Sequence, residues 1–255
     1  MIDFLSSVYM RIALRIDDIG ASSKEFEIYS NRAYGLGNIL YLKYLPSFRA
    51  WGPYREMTVQ EWTSVFKILE KYEAKLTVAI TASWVEYDGR LTPFPTKYPK
   101  QARVIKDGLR SGFLEIANHG LTHCVTSKNL FRPRLFSSNR KYHKEFWDWV
   151  PEKVHLDNLR SSQSILQDYF KTNIVTFVPP GNVFSDSTLR ACIENGIRII
   201  NCNTRKRTLS QLKIVNNENV MAFHDREIVF EGVAWLRMKL DEMPGETEYT
   251  FIKDL

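Results

Sequence analysis

The sequence predicts an α/β protein built on a parallel sheet or barrel, and three observations predict it. Apolar β-type runs alternate with amphipathic stretches along the chain, which is the pattern of strand–helix–strand units. Clusters rich in Asp, His and Asn follow directly after the apolar runs, and such folds carry their chemistry at strand carboxyl ends. The 255 residues, 44% hydrophobic and 25% charged, can bury a substantial core without disulfides or structural metals. No repeat, low-complexity stretch or linker interrupts the chain, so residues 1–255 are read as one domain.

Each element has its own local reason. Val8 to Ile16 reads as the first strand. Thr58 to Tyr72 reads as a helix, because Thr58 and Glu61 have capping-box spacing. Lys75 to Thr81 (KLTVAIT) is a second strand, and Tyr98 to Leu109 a helix whose end Gly108 and Gly112 bracket. Phe113 to Ala117 is a third strand, Val154 to Phe170 a helix and Ile174 to Val178 a fourth strand. Ser185 to Glu194 is a helix capped by Ser185 or Asp186 and closed by Gly196. Ile197 to Asn201 and Asn219 to Phe223 are the fifth and sixth strands. Two long stretches break the rhythm, Ile19 to Met57 and Cys124 to Val150. The second carries Phe146, Trp147 and Trp149, which suit either sugar stacking or packing on the rim.

The formal net charge of +6 and sequence pI of 9.1 favour approach to anionic partners. The one basic cluster, Arg205-Lys206-Arg207, is short and lacks interleaved aromatics. It reads as a solvated loop, and no nucleic-acid partner is expected. The cysteines Cys124, Cys192 and Cys202 are odd in number and unpaired in spacing, which fits a reducing compartment. The first ten residues have no basic start, and no run approaches the length of a membrane span. The expectation is a cytoplasmic protein without a membrane span.

The chemistry-bearing residues follow the apolar runs. Arg15-Ile16-Asp17-Asp18-Ile19-Gly20 follows the first strand, and Asn118-His119-Gly120-Leu121-Thr122-His123 the third. Phe177-Val178-Pro179-Pro180-Gly181-Asn182 follows the fourth, and His224-Asp225 the sixth. Adjacent carboxylates are costly to hold together unless a cation or shared proton relieves the repulsion. Two histidines four apart can present their rings to one ion. One carboxylate and two imidazoles leave coordination positions open for catalysis. The plainer alternative is that Asp17-Asp18 caps backbone amides and the histidines are structural. His143 and His155 read as surface residues, Glu25 and Glu27 as exposed loop residues, and Cys124 as a small buried residue.

Taken together, these clusters resemble the NodB-type polysaccharide deacetylases, the fourth carbohydrate esterase family. The family's first motif is T-F-D-D-G, matched by Arg15-Ile16-Asp17-Asp18 with Ile19 inserted before Gly20. Its second is H-[ST]-x-x-H, matched by His119 to His123. Its third is R-x-P-x-[GY], of which Val178-Pro179-Pro180-Gly181 keeps the prolines and glycine. Its fifth, a strand ending in His, is matched by Val220 to His224. The motifs occur in family order from residue 15 to residue 224.

The resemblance implies a distorted (β/α) barrel and a divalent metal, usually zinc, held by Asp18, His119 and His123. It implies Asp17 as the base, His224 as the acid for the leaving amine, and Pro180 and Gly181 lining the acyl pocket with a backbone amide for the oxyanion. The reaction implied is removal of an N-acyl group, typically acetyl, from an amino sugar. A nucleotide-linked or lipid-linked precursor in surface-polysaccharide assembly fits the charge and the expected location. The departures are Gly120 in place of Ser or Thr, Val178 in place of the arginine that orients the catalytic aspartate, and no recognisable fourth motif around Ile197 to Asn203. Arg226 and Arg205 are candidates to replace that arginine, and Asp225, Asp186 and Asp148 to tune His224. Hydrolysis of a small non-sugar amide, or a catalytically silent carbohydrate-binding module, are the alternatives.

Overall fold

The alternation of side chains along the first strand sets the architecture. In the computed structural model, which describes residues 10–30, 45–126, 144–203 and 211–255, β1 spans Met10–Ile19. Its Ile12, Leu14 and Ile16 join the main apolar core. The intervening Ala13, Arg15 and Asp17 point the other way, into the curl of the sheet, where Ala13 packs with Ile199, Val215, Val220 and Ile252.

A short antiparallel pair, β2 (Tyr29–Ser30) and β3 (Arg49–Trp51), leads to α1 (Val59–Lys71). Thr58 and Glu61 form the capping box that their spacing predicts. Next come β4 (Leu76–Ile80), a hairpin of β5 (Ser83–Val85) and β6 (Leu91–Pro93), α2 (Phe94–Lys97), α3 (Pro99–Arg110) and β7 (Leu114–Asn118). The second half runs α4 (Glu152–Phe170), β8 (Thr176–Phe177), α5 (Asp186–Glu194), β9 (Ile199–Asn201), β10 (Lys213–Val215) and β11 (Val220–His224). It closes with α6 (Asp225–Glu231), α7 (Ala234–Asp241) and β12 (Thr247–Thr250).

The principal sheet has the order β10-β9-β8-β7-β4-β1-β11, and β12 pairs with the first half of β1. Every pairing in it is parallel. The sheet is strongly curled. Arg15 on β1 donates a hydrogen bond to Asn201 on β9 although three strands lie between them. The result is a distorted (β/α) half-barrel, with α1 and α3 covering β4 and β7 through Trp62, Val65, Leu69, Ala102 and Ile105.

Several boundaries differ from the sequence reading. β1 continues through Asp17 and Asp18 to Ile19, because β11 pairs with it as far as Asp17 and β4 pairs with Ile19. β8 is shorter than Ile174 to Val178, since Pro179 and Pro180 have no N–H to continue a ladder. β10, β12, the hairpins, α6 and α7 are short or polar and have no periodic signal of their own. His155 is not a surface residue. It is fully buried, with Nδ1 2.9 Å from Thr188 Oγ1 and its ring edge-on to Phe146. The helix turns that one polar residue toward α5, where a hydroxyl receives it. His143, Val8 and Arg205-Lys206-Arg207 lie outside the described residues. Glu25 is exposed as expected, whereas Glu27 is half-buried. All three cysteines are buried and free.

One buried ionic cluster ties the segment after β1 to the rest. Lys24 Nζ donates to Glu56 Oε2 at 2.7 Å and to Asp225 Oδ2. Tyr54 donates to Asp225 Oδ1 at 3.0 Å, and the Gly20 N–H donates to Glu56 Oε2 at 2.8 Å. The charges satisfy one another, which is the condition for burying them.

Candidate metal centre and active site

The carboxyl ends of β1, β7, β8 and β11 converge on one place. Asp18 Oδ1 lies 3.3 Å from His119 Nε2 and 3.2 Å from His123 Nε2. These three ligand atoms lie within 4.8 Å of one another. His119 Nδ1 sits 2.6 Å from the Val178 carbonyl oxygen, which can only accept, so Nδ1 carries the proton. The ring therefore turns Nε2 toward Asp18. Lone pairs of two imidazoles and a carboxylate aimed at one point repel unless a cation or protons lie between them. The donor set suits a divalent ion of the zinc type with open positions.

The backbone is bent to make this convergence. Asp18 has φ +68° and His123 has φ +60°, a region that costs non-glycine residues of order 1–3 kcal/mol and clusters at functional sites. Burial pushes the Asp18 carboxyl up, but hydrogen bonds from His119 and His123 outweigh it and hold it well below the usual range. Burial opposes protonation of His123, and the Asp18 carboxylate raises it nonetheless.

The loop carrying both histidines hangs on Glu145, a residue the sequence reading did not single out. Its carboxylate accepts the N–H groups of Leu121 at 3.1 Å, Thr122 at 3.1 Å and His123 at 3.0 Å, and the Asn158 amide at 2.7 Å. Burial pushes its pKa up to about 7 against the pull of those donors. Gly120 is the partner of this arrangement. It has φ +81°, and a Cβ there would stand 2.4 Å from Glu145 Oε2 and 3.1 Å from Pro180 Cγ. A serine or threonine would collide with the carboxylate, so glycine at this position and Glu145 belong together.

Asp17 and His224 are register partners on the adjacent strands β1 and β11. Asp17 is gripped from its own strand. Arg15 Nε donates to Oδ1 at 2.8 Å and another guanidinium nitrogen to Oδ2 at 2.7 Å. Arg226 does not serve here; its Nε pairs with Glu227 Oε1 at 2.9 Å. The partner of His224 is Glu227, with Oε2 3.7 Å from His224 Nδ1 and 2.7 Å from its backbone N–H. Asp225 instead faces Lys24 and Tyr54. Burial would lower the His224 pKa, but Glu227, Asp18 and Asp17 bring it up to about 9. Glu227 lies one helical turn beyond His224, so an i, i+3 search past the histidine could have found it.

On the opposite wall, Pro179 and Pro180 have no N–H, so Gly181 carries the amide that this loop can offer. Pro180 is buried and reaches Gly120, and the Lys144 stem lies beside the exposed Gly181. Beside His224, a cavity of about 670 Å³ is lined by Arg49, Pro53, Arg226, Glu227 and Phe230.

The sequence profile of the family described as polysaccharide deacetylase matches residues 52–200, more than half of the chain. The chain belongs to the polysaccharide deacetylase family. The matched stretch includes His119, His123, Pro180 and Gly181; Asp17, Asp18 and His224 lie outside it. Comparison with curated proteins returns no match. Among solved structures, a candidate polysaccharide deacetylase from Mycobacterium smegmatis is 11% identical, with TM-score 0.53 over 99% of this chain and 91% of that one. A mutant of a Bacillus anthracis CE4-family pseudoenzyme with restored activity is 13% identical, with TM-score 0.50 over 96% of this chain and 66% of its own. A 4-α-glucanotransferase from Thermococcus litoralis, 10% identical, also scores 0.53, over 97% of this chain and 38% of that one. At such identities the likeness establishes the fold. The reaction has to be argued from the site.

Proposed function

We propose that this chain is a metal-dependent hydrolase that removes an N-acyl group, acetyl in the first instance, from an amino sugar. One observation carries the reading: Asp18, His119 and His123 converge as a ligand set while Asp17 and His224 stand as register partners beside it. The chain is read as one catalytic domain over residues 1–255, and zinc as the ion. Asp18, His119 and His123 would hold that ion, which supplies Lewis acidity toward the acyl carbonyl and its attacking water.

The protein's own groups do the rest. Asp17, with both oxygens fixed by Arg15, keeps further lone pairs to accept the proton of the water that attacks the acyl carbon. The Gly181 N–H is the donor for the carbonyl oxygen as charge develops on it. His224, protonated and held by Glu227, gives its proton to the departing nitrogen as the C–N bond breaks. The products are the free amine and the carboxylate.

For the substrate we favour a nucleotide-linked or lipid-linked acetylated sugar over an extracellular polymer. The net charge of +6 and three buried free thiols support it, and with them a cytoplasmic location. Among the described residues, no helix is long and apolar enough to cross a membrane. Val178 at the third-motif position favours a second reading, a silent carbohydrate-binding module. The deciding assay supplies zinc or cobalt and measures acetate released from UDP-linked and lipid-linked N-acetyl sugars, with small ureides in parallel and Asp17→Ala as control. Turnover of a sugar substrate, lost in Asp17→Ala, is the expected outcome. Sugar binding without turnover, unchanged in Asp17→Ala, would establish the binding module instead.

A further inference from the structure

We propose that Arg15 is the positioning residue for Asp17, doing from β1 what the third motif of related deacetylases does with an arginine at the place of Val178. The inference rests on the reading of Asp17 as the base. Two separate departures from the family pattern, Arg15 where the first motif has Thr and Val178 where the third has Arg, are then one rearrangement.

The geometry supports it at every contact. Residues 15 and 17 share a face of β1, so the guanidinium stands directly behind the carboxylate. Its two donors meet the two oxygens at 2.8 and 2.7 Å. Such a bidentate fork fixes the plane of the carboxylate as well as its position. The fork is itself held from across the half-barrel. The third nitrogen donates to Asn201 Oδ1 on β9, and to Asn217 Oδ1 at 3.4 Å. Asn201 in turn donates to the Val215 carbonyl at 2.9 Å and to Asn217 at 3.1 Å.

The third-motif position cannot do this task. Val178 packs with Ala79 and Ala117, a layer of methyl groups that offers Asp17 no donor. Arg15 is only 2% exposed. A buried guanidinium is costly unless fully paired, and an ordinary apolar interior would be at least as stable. The ion pair therefore stands out as a feature kept for placement of Asp17 rather than for folding. Asn201 lies in the strand where the fourth motif was not recognisable, and its contact is with Arg15 rather than with His224.

The test uses the full chain with zinc and a sugar substrate that the wild type turns over. Arg15→Thr restores the family residue, Arg15→Lys keeps the charge with one donor point, and Arg15→Thr/Val178→Arg moves the arginine to the family position. Arg15→Thr is expected to lower kcat by about 10²- to 10⁴-fold, the range of a general base, with KM and calorimetric zinc affinity little changed. The double variant is expected to regain at least about tenfold, and added guanidinium ion to restore part of the activity of Arg15→Ala. Wild-type kcat in Arg15→Thr and Arg15→Lys would overturn the proposal, as would a fall in kcat accompanied by a rise in KM and a parallel loss of zinc affinity. Should Arg15→Thr fail to fold, Arg15→Lys carries the same comparison. If the wild type binds zinc and turns over nothing, the functional reading fails by itself. The crystal structure of Arg15→Lys then decides: a displaced Asp17 carboxylate supports the positioning role, and an unmoved one refutes it.

Discussion

Restoring the family's serine at position 120 should damage this protein. Gly120 has φ +81°, which costs an L-residue of order 1–2 kcal/mol. The new Cβ would stand 2.4 Å from Glu145 Oε2 and 3.0 Å from Phe146 Cε2, so the carboxylate must move. Glu145 accepts the N–H groups of Leu121, Thr122 and His123. Losing even one of these buried bonds costs about 1–3 kcal/mol. The sum is about 2–5 kcal/mol, or a fall in Tm of roughly 4–20 °C at this chain length. Zinc affinity should fall too, because the disturbed loop presents both His119 and His123. Calorimetric melting with chelator present gives the first quantity and zinc titration the second. Gly112→Ser is the control: φ is +79° there, but nothing lies within 4 Å of its Cβ, so only the backbone strain of order 1–2 kcal/mol applies. If Gly120→Ser melts with Gly112→Ser and binds zinc like the wild type, the pairing of Gly120 with Glu145 is wrong.

Other consequences follow from the same geometry. Glu145 has its pKa raised from 4.5 to about 7 by burial, so the folded state holds a proton that the unfolded chain releases. The metal-free protein should lose of order 3 kcal/mol as pH rises from about 4.5 to 7, and urea titrations of Glu145→Gln should lack this slope. His119→Ala or His123→Ala should abolish zinc binding. Zinc at about a hundred times its Kd stabilises a folded site by about 2.7 kcal/mol, so it should raise the wild-type Tm by roughly 5–10 °C and leave the variants unmoved. Lys24→Met strands Glu56 and Asp225 in the interior and should cost about 3–5 kcal/mol in chemical denaturation; a loss under about 1 kcal/mol would mean the cluster rearranges freely. Glu227→Gln removes the partner that helps bring His224 up to about 9. The high-pH limb of kcat should then move to lower pH, because the acid loses its proton sooner.

Much of this protein is local, and local features are legible in a chain of residues. The strand–helix alternation, the Thr58–Glu61 capping box and the Ser185 cap, and the clustering of Asp17-Asp18, His119, His123 and His224 at strand ends depend on neighbours a few positions apart. Their periodicity and spacing survive without any knowledge of what packs against them. What was not legible depends on contacts between distant positions. Arg15 reads as an ordinary strand residue until the sheet curls and brings Asn201, 186 positions away, against its guanidinium. Glu145 lies in a long aromatic loop with no pattern, and only the fold sets it beneath the His119–His123 turn. Asp225 looks like the natural partner of its neighbour His224, yet Lys24 from the other end of the chain claims it. The sequence by itself determined which residue types stand at the ends of which strands, because that follows from short-range pattern. The tertiary structure alone decided which of them face one another, because curling a parallel sheet pairs side chains by barrel geometry and not by their distance along the chain.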